Sequence, residues 1–249
     1  MKPFTLPDSV EITADNWQSS AQATSITVFL LSLSSIWFGC SNAVREIVGE
    51  WPIYVRERMV NLRIPWYVAA KFTVLGGLCV VQCLILLSVV HWGNGLHGPW
   101  FAMFGQLVLS SAVGLALGLT VSAIVKTSEV AIALLPLLLL PMVILGGILQ
   151  PQSEMNSPAR WCSNAMPSRW SFEGLLLSES AERPKSPTPD VPVANAPQAP
   201  SMPSVDIAEA YFPKKTDRMG VRACVFALGT MFVLLVLSIQ TALRSRDVH

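Results

Sequence analysis

Charge is what this sequence has least of. Asp, Glu, Lys and Arg make up only 13% of its 249 residues, against about 25% in an ordinary soluble domain. Hydrophobic side chains supply 52%. Such a chain belongs in a bilayer, and the burial arithmetic of a soluble core does not apply to it. Histidine is scarce, with His91, His97 and His249 only. There is no His-Glu-x-x-His zinc motif, no Gly-x-Ser-x-Gly elbow and no phosphate-cradling Gly-x-x-x-x-Gly-Lys loop, so catalysis or ATP binding by the chain itself is not expected. Cys40, Cys79, Cys83, Cys162 and Cys224 lack metal-ligand spacing, and no metal site is expected. Cys79 and Cys83 sit one helical turn apart in an apolar run and read as packing residues. No basic stripe with interleaved aromatics exists, which argues against a nucleic-acid partner. The polar N-terminal stretch lacks the apolar core of a cleavable signal peptide.

Long apolar runs are abundant. Residues 23–43, 67–91, 100–125, 130–149 and 221–243 are each long enough to cross about 30 Å of hydrocarbon. Backbone facing lipid must bond to itself, so each run is expected to be a helix. The predicted fold class is all-α: a polytopic membrane bundle of about five spans. A polar outer tail, 1–22, precedes it and a short cytoplasmic tail, 244–249, follows. Arg45, Arg56, Arg58, Arg63 and Lys71 cluster between the first two spans, Lys126 follows the third, and Arg244 and Arg246 follow the last. The turn at 92–99 has no Lys or Arg. The positive-inside rule then puts the basic side and the C-terminus in the cytoplasm and the 150–220 loop outside. In that loop, 151–178 carries Trp161, Trp170 and Phe172 and suits short interfacial or re-entrant helices. Proline-rich 180–205 is expected to be disordered or polyproline-like.

The most informative stretch is 44–63, where Arg45, Glu46, Glu50, Arg56, Glu57, Arg58 and Arg63 stand between two spans. A charge at a membrane helix centre costs about 2.5 to 3.5 kcal/mol, so this stretch stays out of the hydrocarbon. Val44, Ile47, Val48, Trp51, Val55, Met59 and Leu62 recur near the helical period. The spacing predicts one stiff amphipathic helix suited to docking against something beyond the bilayer.

Polar groups inside the spans are few. Gln106, Ser110, Gly114, Gly118 and Ser122 repeat every four residues on the third span. That face serves either close helix packing or the wall of a translocation path or dimer seam. Gln82 and Gln240 either bond a neighbouring helix or touch substrate. Pro136, Pro141, Gly146 and Gly147 mark the fourth span for a bend or a hinge. No span centre carries an acidic residue, which disfavours an ion-coupled transporter.

Four stretches carry a family likeness. They are 42–47 with 54–59, 114–119 with Ser122, 136–147, and 164–174, which reads Asn-Ala-Met-Pro-Ser-Arg-Trp-Ser-Phe-Glu-Gly. Together they resemble the membrane domain of ABC type-2 permeases, of the G subfamily (white and pleiotropic-drug-resistance type), over about 24–243. The resemblance implies an exporter half that pairs with a second membrane half, identical or different. ATP and Mg would be bound on a partner ATPase, and the substrate would be apolar or amphipathic. It casts 44–63 as the coupling helix, with Arg45, Glu46, Glu50, Arg56, Glu57 and Arg58 as contacts to that ATPase. Phe29, Leu33, Trp37, Gln106 and Ser110 would face a central cavity. The family's first span and its ATPase domain have no counterpart in this sequence. The alternative is a non-transporting scaffold, or a truncated remnant, whose charged helix binds a cytoplasmic partner.

Overall fold

The structure, a computed structural model, describes residues 14–149, 155–183, 207–208, 211–212 and 218–247, with backbone alone at 14–19 and 247. Nine helices are found among them: α1 (Ala14–Ala43), α2 (Glu46–Gly49), α3 (Trp51–Met59), α4 (Ile64–Asn94), α5 (Trp100–Ile124), α6 (Ser128–Ile144), α7 (Ser157–Asn164), α8 (Pro167–Glu182) and α9 (Val221–Asp247). The described residues contain no strand, as the all-α polytopic reading requires.

Four helical stretches are long and apolar enough to cross a membrane: Ser20–Gly49, Ile64–Asn94, Trp100–Ile124 and Val221–Arg246. The fourth expected span is shorter than the sequence suggested. α6 has 17 residues, about 25 Å at 1.5 Å each, and stops before Gly146 and Gly147. Gly147 has φ +97°, a left-handed backbone that ends a helix and that glycine adopts without a Cβ penalty. α6 nevertheless runs through Pro136 and Pro141 without a break. α4 ends in the same way at Gly95, φ 62°. Exposed Trp66 and Trp92 stand near its two ends, about 39 Å apart at helical rise, which matches the interfacial spacing of tryptophan belts.

α5 is the central post, touching α1, α4, α6, α8 and α9, with its largest interface on α1. Three apolar clusters stack along the bundle. One joins Phe29, Leu87, Leu107, Phe172 and Phe212 at the α8 end. A second joins Tyr54, Val68, Leu115, Leu119 and Leu243 at the α2–α3 end. The third joins Ile36, Val48, Leu135 and Met142.

Further boundaries differ from expectation: α1 begins at Ala14, inside the stretch 1–22 read as a polar tail, and three others shift. The single amphipathic helix over 44–63 is two short helices. Pro52 lies in the first turn of α3; a proline has no N–H for the carbonyl of Val48 and its ring clashes there, so a new helix starts. The break resets the phase: Ile47, Val48 and Tyr54 are buried, whereas Met59 is 82% exposed. At the C-terminus α9 continues through Arg244 and Arg246, so these are helical residues and not a tail. α8 likewise runs to Glu182, into the stretch expected to be disordered or polyproline-like; the proline-rich residues from 184 to 205 lie outside the described residues.

Candidate functional site: a braced charged segment and a buried polar centre

The α2–α3 segment is held against the bundle by three other helices. From α5, the Ser122 hydroxyl accepts hydrogen bonds from the backbone N–H groups of Ile47 and Val48, both at 3.0 Å. These are first-turn donors of α2, which have no partner inside a helix. From α4, Lys71 Nζ lies 2.9 Å from Glu46 Oε2 and 2.6 Å from Glu50 Oε2. From α9, the Arg246 guanidinium sits 3.6 Å from the Trp51 ring centroid. Between these points Trp51 stacks on Tyr54 at 5.2 Å, and Tyr54 meets Tyr67 of α4 at 5.0 Å. Four aromatic and charged layers thus fix α3 to the rest of the protein.

This geometry divides the six candidate coupling residues. Glu46 and Glu50 point at Lys71 and tie the segment down. Arg58 donates to the carbonyl of Leu62, closing the turn after α3. Arg45, Arg56 and Glu57 are exposed. Arg56 and Glu57 line an open surface hollow with Val60, Asn61 and Leu62. A rigid helix with exposed charges of both signs on a braced base is a suitable shape for receiving a partner surface.

The small-residue face of α5 is filled by α1 of the same chain. A Cβ on Gly118 would lie 2.7 Å from the Cys40 carbonyl oxygen, and Gly114 is closer still to α1. Gln106 is buried, and its Nε2 faces the Trp170 carbonyl at 3.5 Å. Ser110 donates to the Gln106 carbonyl at 2.8 Å and lies 2.6 Å from the Ser171 hydroxyl of α8. Gln82 accepts from Asn42 of α1 at 2.8 Å. All five residues therefore make contacts inside this one chain, and Gln106 and Ser110 join α5 to α8. Of the α1 residues expected to line a cavity, Phe29 is buried edge-on against Phe172, with ring centroids 5.3 Å apart. Leu33 is half-buried, and Trp37 is exposed beside Ser34 and Phe38.

Of the four expected hinge residues, Pro136 lies in the middle of α6, whereas Pro141, Gly146 and Gly147 stand at its C-terminal end, where α6 meets the α7–α8 pair. Ser168 Oγ donates to the Met142 carbonyl and Ser163 Oγ to the Leu145 carbonyl, each at 2.8 Å. These carbonyls belong to the last turn and the cap of α6, where intrahelical donors run out. Gly146 has no room for a side chain, because a Cβ would lie 2.6 Å from the Phe29 ring.

Sequence reading missed a second polar centre, on α8. Apart from half-buried Trp170, this helix is buried from Pro167 to Glu179 and carries charges there. Arg169 Nη2 lies 3.3 Å from Glu173 Oε2, and Glu173 Oε1 accepts the Met219 N–H just before α9. Glu179, with no exposed surface, accepts the His97 and Gly98 N–H groups from the α4–α5 turn, the latter at 2.7 Å. Arg183 lies 3.8 Å from Glu179 and donates to the hydroxyls of Thr24 and Ser20 on α1. Burial pushes the Arg183 guanidinium below its ordinary pKa, and the Glu179 carboxylate opposes that shift. The signal was present as opposite charges four residues apart, 169 with 173 and 179 with 183, in a helix whose composition otherwise reads as interfacial. No group of three or more His, Cys, Asp or Glu capable of holding a metal occurs among the described residues.

Residues 9–179 match the family of ABC-2 type transporter membrane domains. The ABC transporter ATP-binding/permease protein Rv1747 of Mycobacterium tuberculosis is 29% identical over 151 residues, covering 57% of this chain and 17% of the relative. The ABC transporter ATP-binding protein/permease wht-1 of Caenorhabditis elegans is 26% identical over 140 residues, 55% of this chain and 21% of the relative. The ABC transporter G family member 7 of Arabidopsis thaliana is 32% identical over 99 residues, 38% of this chain and 14% of the relative. The matched part is thus less than a quarter of each of these relatives.

Proposed function

This chain belongs to the ABC-2 type transporter family, and we propose that it forms one membrane half of an ATP-driven exporter. Family and fold make it a multi-pass membrane component of a transporter, a permease part without catalytic machinery of its own. The finer reading is that α2 and α3 take up the movement of an ATPase domain or subunit and pass it to the spans. The observation that carries this is the bracing of α2–α3 by Ser122, Lys71 and Arg246. A segment meant only to link two spans has no need of three anchors on three helices. One meant to bear a load does, and its exposed side presents Arg45, Arg56 and Glu57.

Two of the relatives are named as ATP-binding proteins and permeases in one, which supports a nucleotide-hydrolysing domain or subunit working with this membrane part. ATP and Mg would bind there. A second membrane half, the same or different, would complete the path, and exposed Ile26, Leu30 and Trp37 on α1 offer it an apolar face. The substrate class that suits such walls is apolar or amphipathic, moved by alternating access.

The test is reconstitution. The chain is purified in mild detergent with the ATPase that accompanies it and placed in vesicles. Substrate-stimulated ATP hydrolysis, lost on Glu57→Lys, supports the exporter reading. Absence of any ATPase supports a scaffold that binds another cytoplasmic partner.

A further inference from the structure

Arg246 stands in the last turn of α9, where an arginine would ordinarily extend to the headgroups. It turns inward instead. Its Nη1 donates to the carbonyl of Ala123 at 2.8 Å and to that of Val125 at 3.2 Å. These are carbonyls at the C-terminal end of α5, which lack intrahelical donors and carry the negative end of the helix dipole. The flat face of the same guanidinium covers Trp51 at 3.6 Å. Edge and face are used at once, which a planar fork permits and a lysine ammonium does not.

The position of this contact matters. The Ser122 and Lys71 anchors hold Ile47, Val48, Glu46 and Glu50, all before α3 begins. A force on exposed Arg56 or Glu57 would rock α3 about those points unless α3 were held as well; Tyr54 against Tyr67 of α4 is one hold, and it leaves the N-terminal end of α3 to be fixed by a second. Trp51 opens α3, and Arg246 joins it to the ends of two spans together.

We propose that Arg246 is a positioning residue for the coupling segment, clamping Trp51 of α3 to the end of α5 so that α3, α5 and α9 move as one body. The proposal rests on the coupling role assigned to α2–α3 above, and its test separates the two. Hydrogen exchange is measured on the full chain in lipid nanodiscs. Arg246→Ala raises exchange of peptides spanning 46–59 by about tenfold, Trp51→Leu does the same, and the double variant rises no further. Arg246→Lys recovers only part of the protection. Peptides from 100 to 120 are unchanged throughout. In the assembled transporter Arg246→Ala then lowers substrate moved per ATP hydrolysed, with KM for ATP unchanged. Unaltered exchange over 46–59, additive effects in the double variant, or full protection by lysine each overturn the clamp. So does an unchanged transport ratio despite loosened 46–59. Should Arg246→Ala loosen 100–120 as well, Trp51→Leu alone decides: a rise confined to 46–59 sustains the clamp and no rise overturns it. If the unsubstituted complex shows no ATP-dependent transport, the exporter reading fails, while the exchange cycle still decides whether Arg246 positions α3.

Discussion

Gly114 of α5 meets Ile36 of α1 backbone to backbone: a Cβ at Gly114 would lie 2.2 Å from the Ile36 carbonyl oxygen and 3.0 Å from its carbonyl carbon. Neither atom can move without moving a whole helix. Gly114→Ala is therefore expected to destabilise the bundle by at least the about 1–3 kcal/mol typical of overpacking. Gly105, on the same helix, has nothing within 4 Å of its Cβ position, and Gly105→Ala should be neutral or stabilising by up to about 1 kcal/mol. Thermal unfolding in detergent checks both; equal midpoints for the two variants would contradict this packing.

Cysteine exposure gives a test of sidedness. Cys40, Cys79, Cys83 and Cys224 are buried, whereas Cys162 on α7 is exposed. A membrane-impermeant maleimide added to intact cells should label the native chain, and Cys162→Ser should abolish the signal. Adding Arg56→Cys to that background should restore labelling only after the cells are opened. Labelling of Arg56→Cys in intact cells would reverse the orientation assigned to the chain.

Four of the five expected spans and the small-residue face of α5 were legible because composition and a four-residue period act locally. The end of α6 was readable in principle from Gly146–Gly147, but an apolar run continuing to Leu149 outweighed the glycines. Pro52 likewise announced a break between α2 and α3, against a hydrophobic period that ran smoothly past it. The Glu179 centre was harder. Its partners His97 and Gly98, and Thr24 bonded by the neighbouring Arg183, lie on distant parts of the chain, and a carboxylate bonded by backbone N–H groups leaves no partner motif in sequence. Arg246 was hidden for the same reason, since it binds carbonyls and a ring rather than an acid.

Glu179 binds the α4–α5 turn through two backbone donors while wholly buried. Glu179→Gln keeps the shape, removes the charge and weakens each of these bonds, and it withdraws the counter-ion from Arg183. The expected loss is about 1–3 kcal/mol, seen as a lower unfolding midpoint. Glu182→Gln is the control, because Glu182 on the same helix is exposed and should change stability by less than about 0.5 kcal/mol. Similar losses from both would mean that the turn is held by packing rather than by the carboxylate.

Lys71 and Glu57 separate bracing from docking. Lys71 has 15% side-chain exposure and bridges two carboxylates that are 32% and 46% exposed. Solvent reaches the carboxylates, so removing the cation should cost on the order of 1 kcal/mol rather than the larger penalty of a sealed pair. Lys71→Met leaves Glu46 and Glu50 to repel each other and should loosen α2, lowering both stability and ATP-driven turnover. Glu57 is exposed and takes no part in that bridge. Glu57→Lys should leave the unfolding midpoint and membrane insertion unchanged while reducing substrate-stimulated ATP hydrolysis by the assembled complex, as the proposed docking role of α3 requires of a reversed charge. The two variants must therefore differ in stability and agree in lost turnover. A Glu57→Lys complex with normal turnover would remove α3 from the contact with the ATPase, whatever the state of α2.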